Sequence, residues 1–320
     1  MGKQEYLKAA ESHPRIVRYT ELEPCRDAFI DTRTPGSDKK ENFTIIGPGV
    51  SENPNQHVHI AEPHGFNIGG ARQPANCLNS QHSHDTAEVF YIHKGTWAFR
   101  TGEDGTDAEV ILKPGDLISI PTGVFRGFEN IGGDIGFLWA VLGGDDPGRV
   151  LWAPYVFDMA KDYGLVLMEN GSLIDTTKGE TVPVGQDRMP ITSKEQVEAL
   201  SNFSNEQLRN CCIASDEEVS RYSRGGLTKR KLIGPGAKLS WPHGFQISHM
   251  QLSPEASVDQ LSYPGPEVIF VQSGELTVKL TDETWRLFPG DTATILKGSS
   301  RQFINKSEKP VEFLRVRGDV

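Results

Sequence analysis

The chain has 320 residues, 33 of them basic and 43 acidic, for a formal charge of −10 with histidine neutral. Without a basic stripe or an arginine-rich tail, that balance argues against nucleic acid and anionic membranes as partners. The longest apolar run, around "IGFLWAVLGG", is too short to span a bilayer, and "MGKQEYLKAAESHPR" lacks the apolar core of a secretory signal. Four cysteines, with Cys211 and Cys212 adjacent, make no disulfide framework and suit a reducing compartment, so a cytoplasmic location is expected.

In chain order, residues 1–43 read as an N-terminal arm, packed across another barrel or a partner chain. From 44 to 146 come short runs such as "EVFYI", "WAFRT", "EVILK", "DLISI" and "FLWAVL", punctuated by glycine, proline and aspartate. That spacing predicts an antiparallel sandwich or barrel. Residues 147–212 change character. "APYVFDMAKDYG" has helical periodicity with Pro154 in the first turn, and "TSKEQVEAL" offers Ser193 and Gln196 as a capping box. This is read as a linker with helices. Residues 213–320 return to strand-like runs, "EVIFV", "ELTVKL", "TATIL" and "VEFLRV".

The second run of strands repeats the first. His64 and His243, Glu88 and Glu267, and Gly95 and Gly274 all stand 179 residues apart (243−64, 267−88, 274−95). Gly115 and Gly290, Arg126 and Arg301, and Asn130 and Asn305 stand 175 apart (290−115, 301−126, 305−130). The offset drops at the hairpin loop "GEDGTDA" and then holds, which marks a duplicated domain.

The segment "QHSHDTAEVFYIHKG" holds His82, His84, Glu88 and Gly95 at the spacing of the first motif of the cupin superfamily, and "PGDLISIPTGVFRGFEN" resembles the second. The chain is therefore similar to a bicupin, and among bicupins to quercetin-dioxygenase-like and oxalate-decarboxylase-like enzymes. The resemblance implies two tandem jelly-roll barrels, a mainly β fold, a divalent metal inside a barrel, and a homodimer. Two departures stand out. The second-motif position that holds a fourth histidine ligand in the family is Arg126. In the second copy the histidine positions are Leu261 and Tyr263, with Arg301 at the last, so that barrel lacks the metal ligands.

His82 and His84 lie two apart on a strand and share a face. With Glu88 they form a three-ligand facial set with open positions, which favours iron(II) and admits manganese, nickel, cobalt or zinc. Arg126 complicates this. A divalent ion about 6 Å from a guanidinium would feel roughly 5 kcal/mol of repulsion at an effective dielectric of about 20. Three placements are open to Arg126: clamping an anionic substrate group, pairing with Glu88, or pointing to the barrel mouth. In the second copy Glu267 and Arg301 persist without histidines, which suggests an ion pair there, and by symmetry one at Glu88 and Arg126.

Phe90 and Phe128 share strand parity with Glu88 and Arg126 and are candidates to wall a substrate pocket. His57 and His59 read as a surface pair, His64 and His243 as structural residues at matching corners, and His93 should face away from Glu88. The leading expectation is a quercetinase-like dioxygenase acting on a small aromatic or enolic substrate. In it His82, His84 and Glu88 bind the metal, and Glu88 and Arg126 do the chemistry. The alternatives are a non-oxidative metal cupin, such as an isomerase, lyase or decarboxylase, or a metal-free binder of small acids. Each takes a small-molecule partner, anionic where Arg126 serves as its clamp.

Overall fold

The protein, a computed structural model, is described over residues 13–219 and 221–319. It divides into two compact units, each mainly of antiparallel strands. One comprises residues 23–58 and 67–215 and carries the first copy of the repeat; the other comprises 13–22, 59–66 and 216–319 and carries the second.

In the first unit, one sheet runs in the order Cys212–Ile213, Leu117–Ile120, Glu88–Lys94, Gly136–Gly143, Phe66–Gln73 and Glu41–Ile46. The other runs Val150–Trp152, Cys77–His84, Arg126–Asn130, Trp97–Thr101 and Ala108–Leu112. An inner aromatic cluster packs Phe90, Phe99 and Phe128, with ring centroids 5.1 to 5.5 Å apart. Gly95 turns the chain between two strands at φ +90°, and a Cβ there would lie 2.8 Å from the Gly136 Cα. Gly274, its repeat partner, has φ +78° and equally little room, which is why the copies share glycine at this corner.

The second unit has the same plan. Its larger sheet is ordered Ile16–Val17, Thr292–Ile295, Glu267–Ser273, Val311–Gly318, Phe245–Leu252, Leu227–Ile233 and Arg221–Arg224. Its core gathers Met250, Leu252, Ile269, Val271, Trp285, Phe303 and Phe313. The PHGF corners match as well. His64 Nδ1 bonds the Glu62 carbonyl and His243 Nδ1 the Trp241 carbonyl, both at 2.6 Å.

The arm and linker are less separate than their local patterns suggest. Residues 1–12 lie outside the described part. Ile16 and Val17 pair with Ala293 and Thr292, whereas residues 23–43 belong to the first barrel's unit. A boundary after Phe43 falls inside the strand Glu41–Ile46, in which Glu41 pairs with Arg72. Helices Pro154–Asp162, Lys194–Glu198 and Asn205–Asn210 occupy the linker, the first with Pro154 in its first turn. The second has the Ser193–Gln196 capping box, and Ser204 with Gln207 forms another. Both ends of this segment pair with first-barrel strands: Val150–Trp152 with Cys77–His84, and Cys212–Ile213 with Leu117–Ile120. Strand pairing across 66 or more residues leaves no local signature, so the sequence pattern missed it. All four cysteines are free.

Candidate metal centre

The strand Cys77–His84 lies between Arg126–Asn130 and Val150–Trp152, in one sheet of the first barrel, and Glu88 opens a strand of the other. His82, His84 and Glu88 are all buried, and one ligand atom from each lies within 4.8 Å of the others. His84 Nε2 is 3.4 Å from Glu88 Oε2. His82 Nδ1 donates to the Ser80 carbonyl at 2.7 Å, which leaves its Nε2 lone pair available. Burial, and then the charge of Arg126, hold His82 at a pKa of about 3 and push His84 well below its ordinary value. Both imidazoles are therefore neutral, as a metal ligand must be.

Arg126 pairs with His82 across the ladder and donates from its NH2 to Glu88 Oε2 at 2.9 Å. Burial pushes Glu88 up and Arg126 down, and their mutual attraction offsets part of each shift. The second barrel has the same pair: Arg301 meets Glu267 through two hydrogen bonds, at 2.9 and 2.6 Å. Of the three placements open to Arg126, the structure thus has the pair with Glu88, and the guanidinium is not among the groups lining the cavity.

That cavity, about 690 Å³ including its open mouth, is reached by His82, His84, Glu88, Phe90 and Phe128 together. Asn42, Thr44, Gln56 and Asn79 add polar groups; Phe29, Phe43, Leu142, Val150 and Trp152 add apolar wall. His57, His59, His64 and His93 do not line it. His57 is exposed, 3.7 Å from Glu23, and His93 is buried with its ring edge toward Phe137.

Several contributors escaped the sequence reading. The Trp152 ring lies 5.2 Å from that of His82, and its Nε1 donates to Glu52 Oε1 at 2.6 Å. Glu52 also accepts from the Ile30 N–H, yet burial outweighs both donors and raises its pKa to about 8. Beneath the histidine strand, buried Lys40 pairs with buried Asp31 and donates to Asn79 Oδ1 at 2.8 Å; Asp31 also accepts from the Ser80 N–H at 3.0 Å. Burial alone would raise the Asp31 carboxyl, but Lys40 and Ser80 hold it below its ordinary value. Asp31 and Lys40 lie in the stretch read as an arm, and Trp152 in the stretch read as linker. A signal that could have found Trp152 is its place in "VLWAPY", directly after the first barrel.

The model of the Cupin domain family matches twice, over residues 71–141 and 248–317, once in each copy of the repeat. The chain is a bicupin of the cupin superfamily. No curated protein sequence matches it. Among solved structures it is similar to oxalate decarboxylase from Bacillus subtilis, with TM-score 0.58 and 13% identity over 97% of this chain and 77% of that one. It is also similar to AerE from Microcystis aeruginosa, with TM-score 0.53 and 10% identity over 96% of this chain and all of that one. A further structure of the Bacillus enzyme, described with Mn(II) centres, matches at TM-score 0.58 and 13% identity over 97% and 78% of the two chains. At such identities the likeness is one of fold.

The donor set fits a divalent metal. It offers two neutral imidazoles, one with its tautomer fixed, and a carboxylate whose Oε2 alone is taken by Arg126. No helix among the described residues is long and apolar enough to cross a membrane.

Proposed function

We propose that the first barrel is a metal-dependent lyase site, of decarboxylase type, for a small carboxylic acid. The observation that carries the reading is the cluster of His82, His84 and Glu88 opening into a cavity whose lining has no other titratable side chain. The oxidative, quercetinase-like reaction expected from the sequence gives way here. The solved structures reported above that have a stated activity are of oxalate decarboxylase, and nothing in the cavity favours an oxygenase over it.

His82, His84 and Glu88 would hold the ion, and Arg126 would keep Glu88 oriented and ionised at the far side of its carboxylate. A bound divalent ion supplies Lewis acidity toward a carboxylate or carbonyl oxygen. Manganese, named for the Bacillus enzyme, comes before iron as the ion to try. The chain's own groups position the acid. Lys40 occupies the Asn79 carbonyl oxygen, which turns the Asn79 amide nitrogen toward His82, 3.4 Å from its Nδ1. Asn42, Thr44 and Gln56 offer further hydrogen bonds, while Phe90, Phe128, Leu142 and Trp152 exclude water and strengthen each polar contact.

The test compares the metal content of the wild type with that of a His82→Ala, His84→Ala variant, followed by turnover of oxalate and related small acids in an oxygen electrode. Near-stoichiometric metal that the variant loses, with acid consumed and CO2 released without net O2 uptake, is expected. Net O2 consumption matching substrate loss would restore the dioxygenase, and metal-free protein after incubation with manganese, iron, nickel, cobalt and zinc would remove the enzyme reading altogether.

A further inference from the structure

The second barrel places cations at positions where the first barrel's cavity is lined by neutral side chains. The 175-residue offset carries Arg126 to Arg301, Ala140 to Arg315 and Leu142 to Arg317 (301−126, 315−140, 317−142). The turn shared by "IIGPGV" and "LIGPGA" is displaced by 187, which carries Asn42 to Lys229 and Thr44 to Lys231 (229−42, 231−44). Strand pairing agrees with this correspondence. Asn42 pairs with Ala71 and Thr44 with Gly69 in the first barrel, as Lys229 pairs with Met250 and Lys231 with Ser248 in the second. Four cavity-lining positions, Asn42, Thr44, Ala140 and Leu142, thus become cationic, and Arg301 keeps the arginine of Arg126 beside them.

Glu267 stands opposite this wall and satisfies only part of it. Its two oxygens take Arg301, and Oε2 also accepts from Arg317 Nε at 2.6 Å. Arg315 is left over. It is 6% exposed, its Nε has no hydrogen-bond partner, and the nearest carboxylate oxygen is 4.0 Å away. Lys229 is half-buried on the strand alongside; burial, then repulsion from Arg315 and Arg317, lower its pKa to about 8. Tyr263, in a position that holds a histidine in the first barrel, donates to the Gly318 carbonyl and lies under the Arg317 guanidinium at 4.2 Å. Asp319 adds a second carboxylate on the Tyr263 side. Arg317 keeps 24% of its side chain exposed, so solvent reaches the cluster.

Buried cations in excess of their counter-charge are costly unless a partner supplies it. Guanidinium groups arranged around a shared point are the usual receptors for carboxylate and phosphate oxygens. We propose that the interior of the second barrel is a binding site for a small oxyanion carrying two charges, received by Arg315, Arg317 and Lys229. The site stands where the first barrel has its metal-type ligands, and its existence does not depend on the chemistry of the first barrel.

The test is calorimetric titration of the full chain at low ionic strength with two probes, inorganic phosphate and succinate. Four proteins are compared: wild type, Arg315→Gln, Lys229→Gln, and the His82→Ala, His84→Ala variant. Saturable binding of one anion per chain is expected, about tenfold weaker in each second-barrel variant and unchanged in the histidine variant. The probe that binds names the class, phosphate or dicarboxylate. Lys229 is half-exposed, so its substitution keeps the test decisive should Arg315→Gln fail to fold. Absence of saturable binding with either probe overturns the proposal. So does binding that Lys229→Gln leaves unchanged, or binding that the histidine variant abolishes.

Discussion

Replacing Arg126 with methionine asks what Glu88 is for. In the metal-free protein the change removes a 2.9 Å charge-assisted hydrogen bond between side chains that are 1% and 7% exposed. Glu88 is left buried beside the neutral imidazoles of His84, at 3.4 Å, and His82. Breaking a buried pair from one side costs about 3–5 kcal/mol. For a unit of this size, about 3 °C per kcal/mol, the chelated variant should melt about 10 °C lower than the chelated wild type. A divalent ion would give the stranded carboxylate a new partner. Saturation at about 100 times Kd stabilises by about 2.7 kcal/mol, and the variant, freed of the guanidinium's repulsion toward the ion, should bind more tightly and gain more than the wild type. The assay is a thermal melt with chelator and with manganese, paired with Arg301→Met as a control. In the control Glu267 keeps Arg317 at 2.6 Å, so the loss should be smaller and manganese should not restore it. A metal-induced shift in Arg126→Met no larger than in wild type would refute the reasoning, because Glu88 would then not be shared between arginine and metal.

Gly127→Ala should destabilise the first barrel by about 1–3 kcal/mol and lower its metal content, since a Cβ would meet the Asn79 carbonyl oxygen at 2.6 Å on the histidine strand. Chemical denaturation and elemental analysis read both effects. Trp152→Phe keeps the ring beside His82 but removes the donor to Glu52, with a cost of about 1–3 kcal/mol in denaturant melts, smaller at pH values where Glu52 is protonated. In the second barrel, burial and then Arg230 hold His249 at a pKa of about 4. Its folded value lies below the unfolded one, so the unfolded chain binds the proton more readily. His249 should therefore contribute a loss of stability of about 1.4 kcal/mol per unit as pH drops from about 6.5 to 4, and His249→Gln should lower the slope of urea melts across this range by that amount.

The sequence determined the duplication, the β character of both copies and the capped helices between them, because strand periodicity, turn glycines and capping boxes are set by neighbours in the chain. It also brought His82, His84 and Glu88 forward as a cluster, since two residues on one strand face and a third opening the next are close by local geometry alone. Even the Glu267–Arg301 pair was readable, through the logic that a carboxylate kept in a barrel without histidines needs a counter-charge. What the sequence left open was where Arg126 goes. Clamp, ion pair and barrel mouth are all within reach of a long side chain, and only the packed interior, where the buried carboxylate of Glu88 has no better partner, selects the pair. The tertiary structure likewise decided that Asp31, Lys40 and Trp152, from stretches read as arm and linker, support the histidine strand. It also gathered Lys229 with Arg315 and Arg317, although more than 80 residues separate them in the chain. Contacts of that separation depend on strand order and register, which follow from burying both faces of a sheet at once and leave no mark in any short window of sequence.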